Sequence, residues 1–298
     1  MRWLIAIISF TIIVVLVAIG VTGIVLLNSG DNDPGWIAFV GEDDETSDIY
    51  LMRPDGTEIT RLTADGEQKG SPDWSPDGKN LAFSARSGKT DIWVIGVDGS
   101  GLKRLTNASG DSDQPAWSPD GDLIAFSSNR TGNYEIYVMN SDGSGVLRLT
   151  TNQGAAYCPD WSPDGERIVY FASLGAKTSL MIMNADGGNL RRLPLTKNPR
   201  CPAWSPDGSK IAFAGDIDDI YVADDEGAIV ARVTKDGAFN NHPSWSPDGE
   251  RIIFSSLRDS ADLEDVGYEI YSANLDGSDV VRLTNRDGRN TAPKWSPK

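Results

Sequence analysis

The five-residue string Trp-Ser-Pro-Asp-Gly recurs along the chain and restricts its possible folds more than any other feature. Successive tryptophans of this string are 43, 44, 43, 41 and 50 residues apart, and the last copy is truncated. A repeat of this length indicates an array of similar units, each of which buries an apolar face against its neighbours. The complete copies occupy residues 74–78, 117–121, 161–165, 204–208 and 245–249, and the truncated copy occupies 295–297.

Within each period, short apolar stretches alternate with turn residues. In the second complete repeat, Ile124-Ala-Phe126 and Glu135-Ile-Tyr-Val138 are rich in β-branched and aromatic residues, and an acidic–glycine pair, Asp142-Gly143, follows them. An arginine that heads Arg-Leu-Thr or a variant, here Arg148, completes the period. Such stretches predict β-strands, and four strands in each period of about 43 residues predict one blade of a propeller.

The two ends of the repeat region complement each other. Residues 36–63 have the order of a blade that lacks its opening strand, and residues 293–297 are an opening strand without a blade. If the end of the chain supplies the missing strand, no sheet edge is left free. The sequence therefore predicts an all-β fold, a six-bladed β-propeller closed by the C-terminal strand.

An apolar run precedes the repeats. Residues 3–27 carry no charge, and at 1.5 Å per residue such a run can cross a hydrocarbon core of about 30 Å. It is longer than the apolar part of a signal peptide and lacks an Ala-x-Ala site, so an uncleaved transmembrane helix is favoured over a cleaved signal. Arg2 precedes the run and Asp31 follows it, which predicts that the propeller lies outside the cytoplasm. We predict a single-pass anchor in the cell membrane at 1–27, a linker at 28–35 and the propeller at 36–298.

These motifs and their spacings resemble the repeats of the TolB-like β-propeller family, a group with WD40-like repeats. The resemblance covers residues 36–298, and it implies that a partner protein or peptide docks at the mouth of the central channel. Members such as TolB carry an α/β domain before the propeller, whereas the predicted linker here has only eight residues, 28–35. A role that depends on that domain is not expected of this chain.

The repeated residues are predicted to be scaffold, and the residues that vary at equivalent positions are candidates for binding. The motif tryptophans should fill the wedges between blades, and the arginines at 61, 104, 148, 192, 232 and 282 should pair with blade aspartates. The positions three and four residues before each tryptophan instead mix polar, aromatic and charged groups, and equivalent positions on a ring face its centre. We predict that they contact a ligand at the channel mouth, although they could equally satisfy loop backbone and water. The candidates are Asp113, Gln114, Tyr157, Cys158, Arg200, Cys201, Asn241 and His242.

The two cysteines occupy the same position in adjacent repeats, which leaves three readings open. Cys158 and Cys201 could form a disulfide, if their Cα atoms lie within about 6.8 Å and the compartment is oxidising. They could also be inert thiols, or hold a metal ion together with His242. Acidic clusters at 216–219, 224–226 and 262–265 could bind Ca²⁺, but none has EF-hand spacing. We therefore predict no cofactor, with Ca²⁺ as the one possibility.

The net charge and the absence of two catalytic motifs argue against several classes of function. The formal net charge of −16 repels phosphate backbones, so no nucleic-acid partner is expected. The chain has one histidine and no GxSxG, and therefore neither an HExxH site nor a nucleophile elbow. We predict a monomeric binding scaffold for an envelope protein or peptide, or for a glycan, rather than an enzyme. The alternative is a carboxylate- or metal-dependent hydrolase or lyase that works at the channel mouth.

Overall fold

The computed structural model describes residues 35–42, 46–151, 154–175, 177–259 and 267–297. These residues form twenty-four short β-strands and one 3₁₀ turn at Asp216–Asp218. The first twelve strands are β1 (Ile37–Glu42), β2 (Ser47–Met52), β3 (Thr60–Arg61), β4 (Gln68–Trp74), β5 (Asn80–Ser87), β6 (Lys89–Gly96), β7 (Lys103–Arg104), β8 (Ser112–Trp117), β9 (Leu123–Ser128), β10 (Glu135–Asn140), β11 (Leu147–Arg148) and β12 (Ala155–Trp161). The remaining strands are β13 (Arg167–Leu174), β14 (Lys177–Asn184), β15 (Arg191–Arg192), β16 (Arg200–Trp204), β17 (Lys210–Ala214), β18 (Ile220–Asp224), β19 (Ile229–Arg232), β20 (Asn241–Trp245), β21 (Arg251–Ser256), β22 (Glu269–Asn274), β23 (Val281–Arg282) and β24 (Arg289–Trp295).

The second and third strands of each repeat form its core. In β9 and β10, Ile124, Phe126, Ile136 and Tyr137 are all buried, and the Phe126 and Tyr137 rings stack with their centroids 5.8 Å apart. Side chains on both faces of these strands are buried because each sheet packs against a neighbour on either side. This explains why the sequence shows continuous apolar runs here rather than strict alternation.

The structure corrects the predicted blade count. Only four blades are separate four-stranded sheets: β8–β11, β12–β15, β16–β19 and β20–β23. The other strands, β24 with β1–β7, are hydrogen-bonded into one eight-stranded sheet, so the described residues form five sheets and the prediction of six separate blades is wrong. The junction is a short parallel bridge between Ser47 and Gln68. It forms because the Ser47 hydroxyl accepts the Lys69 N–H and donates to the Lys69 carbonyl, each at 2.8 Å.

The last strand pairs with the first. β24 runs antiparallel to β1, with Ile37 opposite Trp295 and Glu42 opposite Arg289. Just beyond the ladder, the Ser296 N–H donates to the Trp36 carbonyl at 2.8 Å, and the Trp36 N–H donates to Ser296 Oγ at 2.9 Å. Six strands that each end in a motif tryptophan then contact one another in a closed ring around a central channel: β4, β8, β12, β16, β20 and β24. We call these six the channel strands.

The predicted transmembrane helix has no counterpart among the described residues. The anchor predicted at 1–27, and the linker at 28–35 except for Gly35, lie outside those residues. Within the part of the chain that the structure describes, no helix has the length and apolar character needed to cross a membrane. The one described helix is the three-residue 3₁₀ turn, which is far shorter than the roughly 20 residues that a span requires.

Candidate functional site

A bend in each channel strand aims one side chain into the channel. Three residues before every motif tryptophan, the backbone is left-handed, with φ between 45° and 57°, and a proline follows. The strand pairing shifts register at this point, as in a β-bulge. The left-handed residues are Ser71, Gln114, Cys158, Cys201, His242 and Ala292.

These six residues and the prolines after them line a narrow mouth of the channel. The cavity there has a volume of about 80 Å³. Four of the eight candidate residues lie on its wall: Gln114, Cys158, Cys201 and His242. The structure therefore brings together the candidates from the position three residues before the tryptophan.

The other four candidates do not line this cavity. The Tyr157 ring packs against Tyr134 and Phe171, with centroid separations of 4.9 and 5.3 Å. Arg200 forms an ion pair with Asp218 at 2.5 Å. Asp113 and Asn241 each accept the N–H of the next residue, at 2.7 and 2.9 Å. Their side chains make these local contacts at the loop end of the strands, and their role in binding stays a prediction.

Two cysteines and a histidine lie side by side in the narrow mouth. Both cysteines are free thiols, and their Sγ atoms lie 3.5 Å apart. A hydrogen bond from the Cys158 thiol, helped by the charge of His242 and opposed by burial, lowers the pKa of Cys201 well below its ordinary value. Burial disfavours the charged form of His242, but Cys201 and Asp113 outweigh it and raise the pKa of this imidazole.

The backbone around the pair is held by a neighbouring side chain. Gln114 Oε1 accepts the Cys158 N–H and the Ser127 hydroxyl, each at 3.0 Å.

Across the described residues, no group of three or more His, Cys, Asp or Glu side chains is arranged to hold a metal ion. The Ca²⁺ candidates at 216–219 and 224–226 fall under that finding, whereas 262–265 lies outside the described residues.

An ion triad that the sequence analysis missed forms the floor between the two ends of the channel. Lys294 Nζ lies 3.2 Å from a carboxylate oxygen of Asp73 and 3.2 Å from one of Asp160. Burial opposes the charge of Lys294, but the two carboxylates raise its pKa above the ordinary value. Burial, only partly offset by Lys294, raises the pKa of Asp73. The available signal was the position just before each tryptophan, where Ala116 and Ala203 are neutral and these three are charged.

A wider mouth opens on the other side of this floor. Its cavity has a volume of about 380 Å³, and the Trp-Ser-Pro segments of the repeats surround it. The six prolines of these segments are exposed or half-buried, so they present an apolar rim: Pro76, Pro119, Pro163, Pro206, Pro247 and Pro297. The aspartate after each of the first five prolines is exposed. In four of them a hydrogen bond from the serine two residues earlier is the largest cause of a pKa below the ordinary range: Asp77, Asp120, Asp164 and Asp207.

The motif tryptophans alternate between two hydrogen-bonding arrangements around the ring. Where the preceding channel strand has no acceptor side chain at the position before its tryptophan, the indole N–H donates to the backbone carbonyl there: Trp74 to Lys294, Trp161 to Ala116 and Trp245 to Ala203, at 3.0 to 3.1 Å. Where that position is Asp73, Asp160 or Ser244, its side chain instead accepts the backbone N–H of the next tryptophan. The indole nitrogens of those tryptophans are buried and have no hydrogen-bond partner among the described residues: Trp117, Trp204 and Trp295.

Five of the six repeated arginines pair with a blade carboxylate, which is the predicted aspartate in three blades and a glutamate in two. Each lies beside an acidic residue thirteen positions earlier, which also accepts a threonine hydroxyl from the same Arg-Leu-Thr or variant segment. The pairs are Arg61–Asp48, Arg104–Asp91, Arg148–Glu135, Arg232–Asp219 and Arg282–Glu269. The sixth, Arg192, has Ser179 at the equivalent position and lacks that partner.

Two family models match the chain in adjoining segments. The model described as the N-terminal β-propeller domain of tricorn protease matches residues 87–195. The model described as the TolB β-propeller domain matches residues 195–298. A search of curated proteins finds no match.

Solved structures share the fold. TolB from Acinetobacter baumannii superposes with a TM-score of 0.77 at 23% identity, over 89% of this chain and 67% of that one. A putative TolB from Agrobacterium tumefaciens has a TM-score of 0.71 at 21% identity, over 89% and 99%. A chain of a nidogen/laminin complex has a TM-score of 0.70 at 12% identity, over 88% and 98%. At these identities the likeness shows a common fold.

Proposed function

Because the chain is a TolB-like β-propeller, we propose that it is a protein-binding scaffold whose wide channel mouth receives a segment of a partner protein. TolB-like propellers are protein-interaction scaffolds in general. The observation that carries the proposal for this chain is the cavity of about 380 Å³ under an exposed ring of prolines. A cavity of this size falls in the range of ligand pockets, which is about 300 to 1,000 Å³.

The charges at the wide mouth favour a basic partner segment. The floor carries one ammonium and two carboxylates, and exposed aspartates follow five of the rim prolines. The lowered pKa values of four of these aspartates keep them ionised at neutral pH. A segment with apolar side chains and a lysine or arginine would complement both the rim and the floor.

A binding role is preferred to the hydrolase or lyase alternative because the buried carboxylates of the channel are already engaged. Asp73 and Asp160 each pair with Lys294 and each accept a backbone N–H at 2.7 Å. A general acid or base needs a carboxyl group free to exchange a proton with a substrate. The triad is better suited to hold the channel strands together.

We also propose that the propeller works outside the cytoplasm, on an envelope partner. The support is the uncharged run at 3–27 with Arg2 before it and Asp31 after it. An alkaline phosphatase fused after Lys298 tests the location, since that enzyme is active only outside the cytoplasm. An inactive fusion would place Lys298 in the cytoplasm and would reject the proposed location.

Site-specific photocrosslinking tests the binding site. A photoreactive amino acid at Pro119 should form an adduct with a partner protein in the native host, because this residue lies on the exposed rim of the wide mouth. The same amino acid at Arg200 probes the loop end of the narrow mouth, where the eight candidates stay a prediction. At Asp186, in an outer turn, it serves as the background control.

Charge reversal distinguishes a specific partner from incidental capture. Asp164→Lys with Asp207→Lys should reduce the Pro119 adduct several-fold, whereas Asp186→Lys should leave it unchanged. Each variant must melt like the parent chain. Adducts that are strongest at Arg200 would move the site to the narrow mouth, and adducts no stronger than at Asp186 would reject both mouths.

A further inference from the structure

The narrow mouth contains chemistry that the proposed binding function does not use. We propose that Cys158 and Cys201 form a thiol–disulfide exchange site, in which Cys201 is the nucleophile and Cys158 the resolving thiol. Its substrate class is an accessible disulfide, either of a small thiol or of a protein. The oxidised product is a disulfide that joins two neighbouring blades.

The geometry places the two sulfur atoms in position to react. They lie 3.5 Å apart, so an approach of about 1.5 Å reaches the disulfide bond length of about 2.05 Å. Each cysteine sits at the left-handed position of its channel strand, and a proline follows each one. Both residues are half-buried and line the cavity, which is the space through which a small disulfide would approach the two sulfur atoms.

The surroundings make the two thiols unequal. Cys201 receives a hydrogen bond from the Cys158 thiol at an Sγ–Sγ distance of 3.5 Å, and the charge of the neighbouring His242 also favours ionisation of Cys201. These contacts favour its thiolate, which is the attacking form in disulfide exchange. Cys158 has the opposite character, because its hydrogen bond to Cys201 and its burial raise the pKa of its thiol. His242 Nδ1 is buried without a partner among the described residues.

The protons and electrons of the exchange balance with the external disulfide as the only reagent. The Cys201 thiolate attacks one sulfur of the external disulfide, which forms a mixed disulfide and releases the other half as a thiolate. Cys158 then loses its proton and attacks Cys201 Sγ, which releases the second half. The chain loses two protons and two electrons, and the external disulfide gains them as two thiols.

The product should alter the stability of the fold. The bond would close a loop of 43 residues between two separate sheets. A cross-link across a loop of this length restricts the unfolded chain, and in a domain of this size it should raise the melting temperature by about 8 °C or more.

The test is oxidation of the reduced full chain with glutathione disulfide, followed by mass spectrometry of the intact protein. The parent chain should lose two hydrogens and keep no glutathione. Cys158→Ser should stop at a stable glutathione adduct on Cys201, since the resolving thiol is missing. Cys201→Ser should form its adduct on Cys158 about tenfold more slowly.

Two controls separate reactivity from folding. His242→Gln in the Cys158→Ser background should slow adduct formation several-fold without changing the circular dichroism spectrum. The melting temperature of the parent chain should rise on oxidation, and that of the double serine variant should not. Equal adduct rates for the two single variants would overturn the assignment of roles. Disulfide-linked dimers, or thiols that stay reduced, would overturn the site itself.

Discussion

Replacing two equivalent tryptophans by phenylalanine tests whether the alternation around the channel has energetic meaning. Trp161 and Trp204 occupy the same motif position and are 7% and 6% exposed. The Trp161 indole N–H donates to the Ala116 carbonyl at 3.1 Å, whereas the Trp204 indole N–H is buried without a partner among the described residues. Phenylalanine removes a similar apolar area at both sites, so the difference between the variants isolates the polar contribution.

The structure lets the size of that difference be estimated. Trp161→Phe loses a hydrogen bond with a net contribution of about 1 kcal/mol to the free energy of unfolding. Trp204→Phe removes a buried donor that has no partner, and relief of that desolvation cost returns about 1 kcal/mol. Arg167, which lies 4.7 Å above the Trp204 ring, keeps an aromatic face to pack on. We expect Trp161→Phe to be about 2 kcal/mol more destabilising than Trp204→Phe.

Equilibrium unfolding in guanidinium chloride measures both variants, with linear extrapolation to zero denaturant. Trp245→Phe is a matched replicate of the donor class, because its indole N–H donates to the Ala203 carbonyl at 3.0 Å. The three free energies of unfolding can be compared if their slopes against denaturant concentration are the same. The reasoning is refuted if Trp204→Phe costs as much as Trp161→Phe, or more.

Two further predictions concern the ends of the sheets and the turns. Deletion of residues 289–298 removes β24, its ladder with β1 and the hydrogen bonds between Trp36 and Ser296. At about 1 kcal/mol for each hydrogen bond, the lost free energy of unfolding approaches a typical total stability of 5 to 15 kcal/mol. The truncated chain should therefore no longer melt cooperatively. A truncated chain that melts within a few degrees of the parent would contradict this. Acid should also destabilise the protein. Several hydrogen bonds, of which that from the Ser205 hydroxyl has the largest effect, lower the pKa of Asp207 to about 2. The contribution of Asp207 to the free energy of unfolding is therefore present above pH 4 and lost as the pH falls towards 2. The melting temperature should drop over that interval and drop less in Asp207→Asn, while identical pH profiles would count against the turn contribution.

Much of the fold could be predicted from local patterns. The strand positions follow from short β-branched stretches between turn residues, and the tryptophan spacing indicates the length of one blade. The resemblance to TolB-like propellers is confirmed by the comparisons. Five arginine pairs follow as well, because the arginine recurs at one position and meets a carboxylate wherever the repeat has an acidic residue thirteen positions earlier.

The candidate site was predicted less completely. The position three residues before the tryptophan does face the channel, as Gln114 and His242 show. The position four residues before it does not, because the bend in the strand directs Tyr157 and Arg200 to other contacts. A bulge depends on the register between two strands, and a register cannot be derived from one strand alone.

The sequence by itself determined what repeats: the all-β character, the wedge tryptophans, the turns and the complementary ends at residues 36–63 and 293–297. These features depend on residues close together in the chain or on one rule applied in every blade. Only the tertiary structure decided what crosses the ring. It joined Ser47 to Lys69 so that two sets of strands became one sheet, and it brought Lys294 between Asp73 and Asp160. Such contacts bring together residues from different repeats, and their geometry is defined only once the ring has closed.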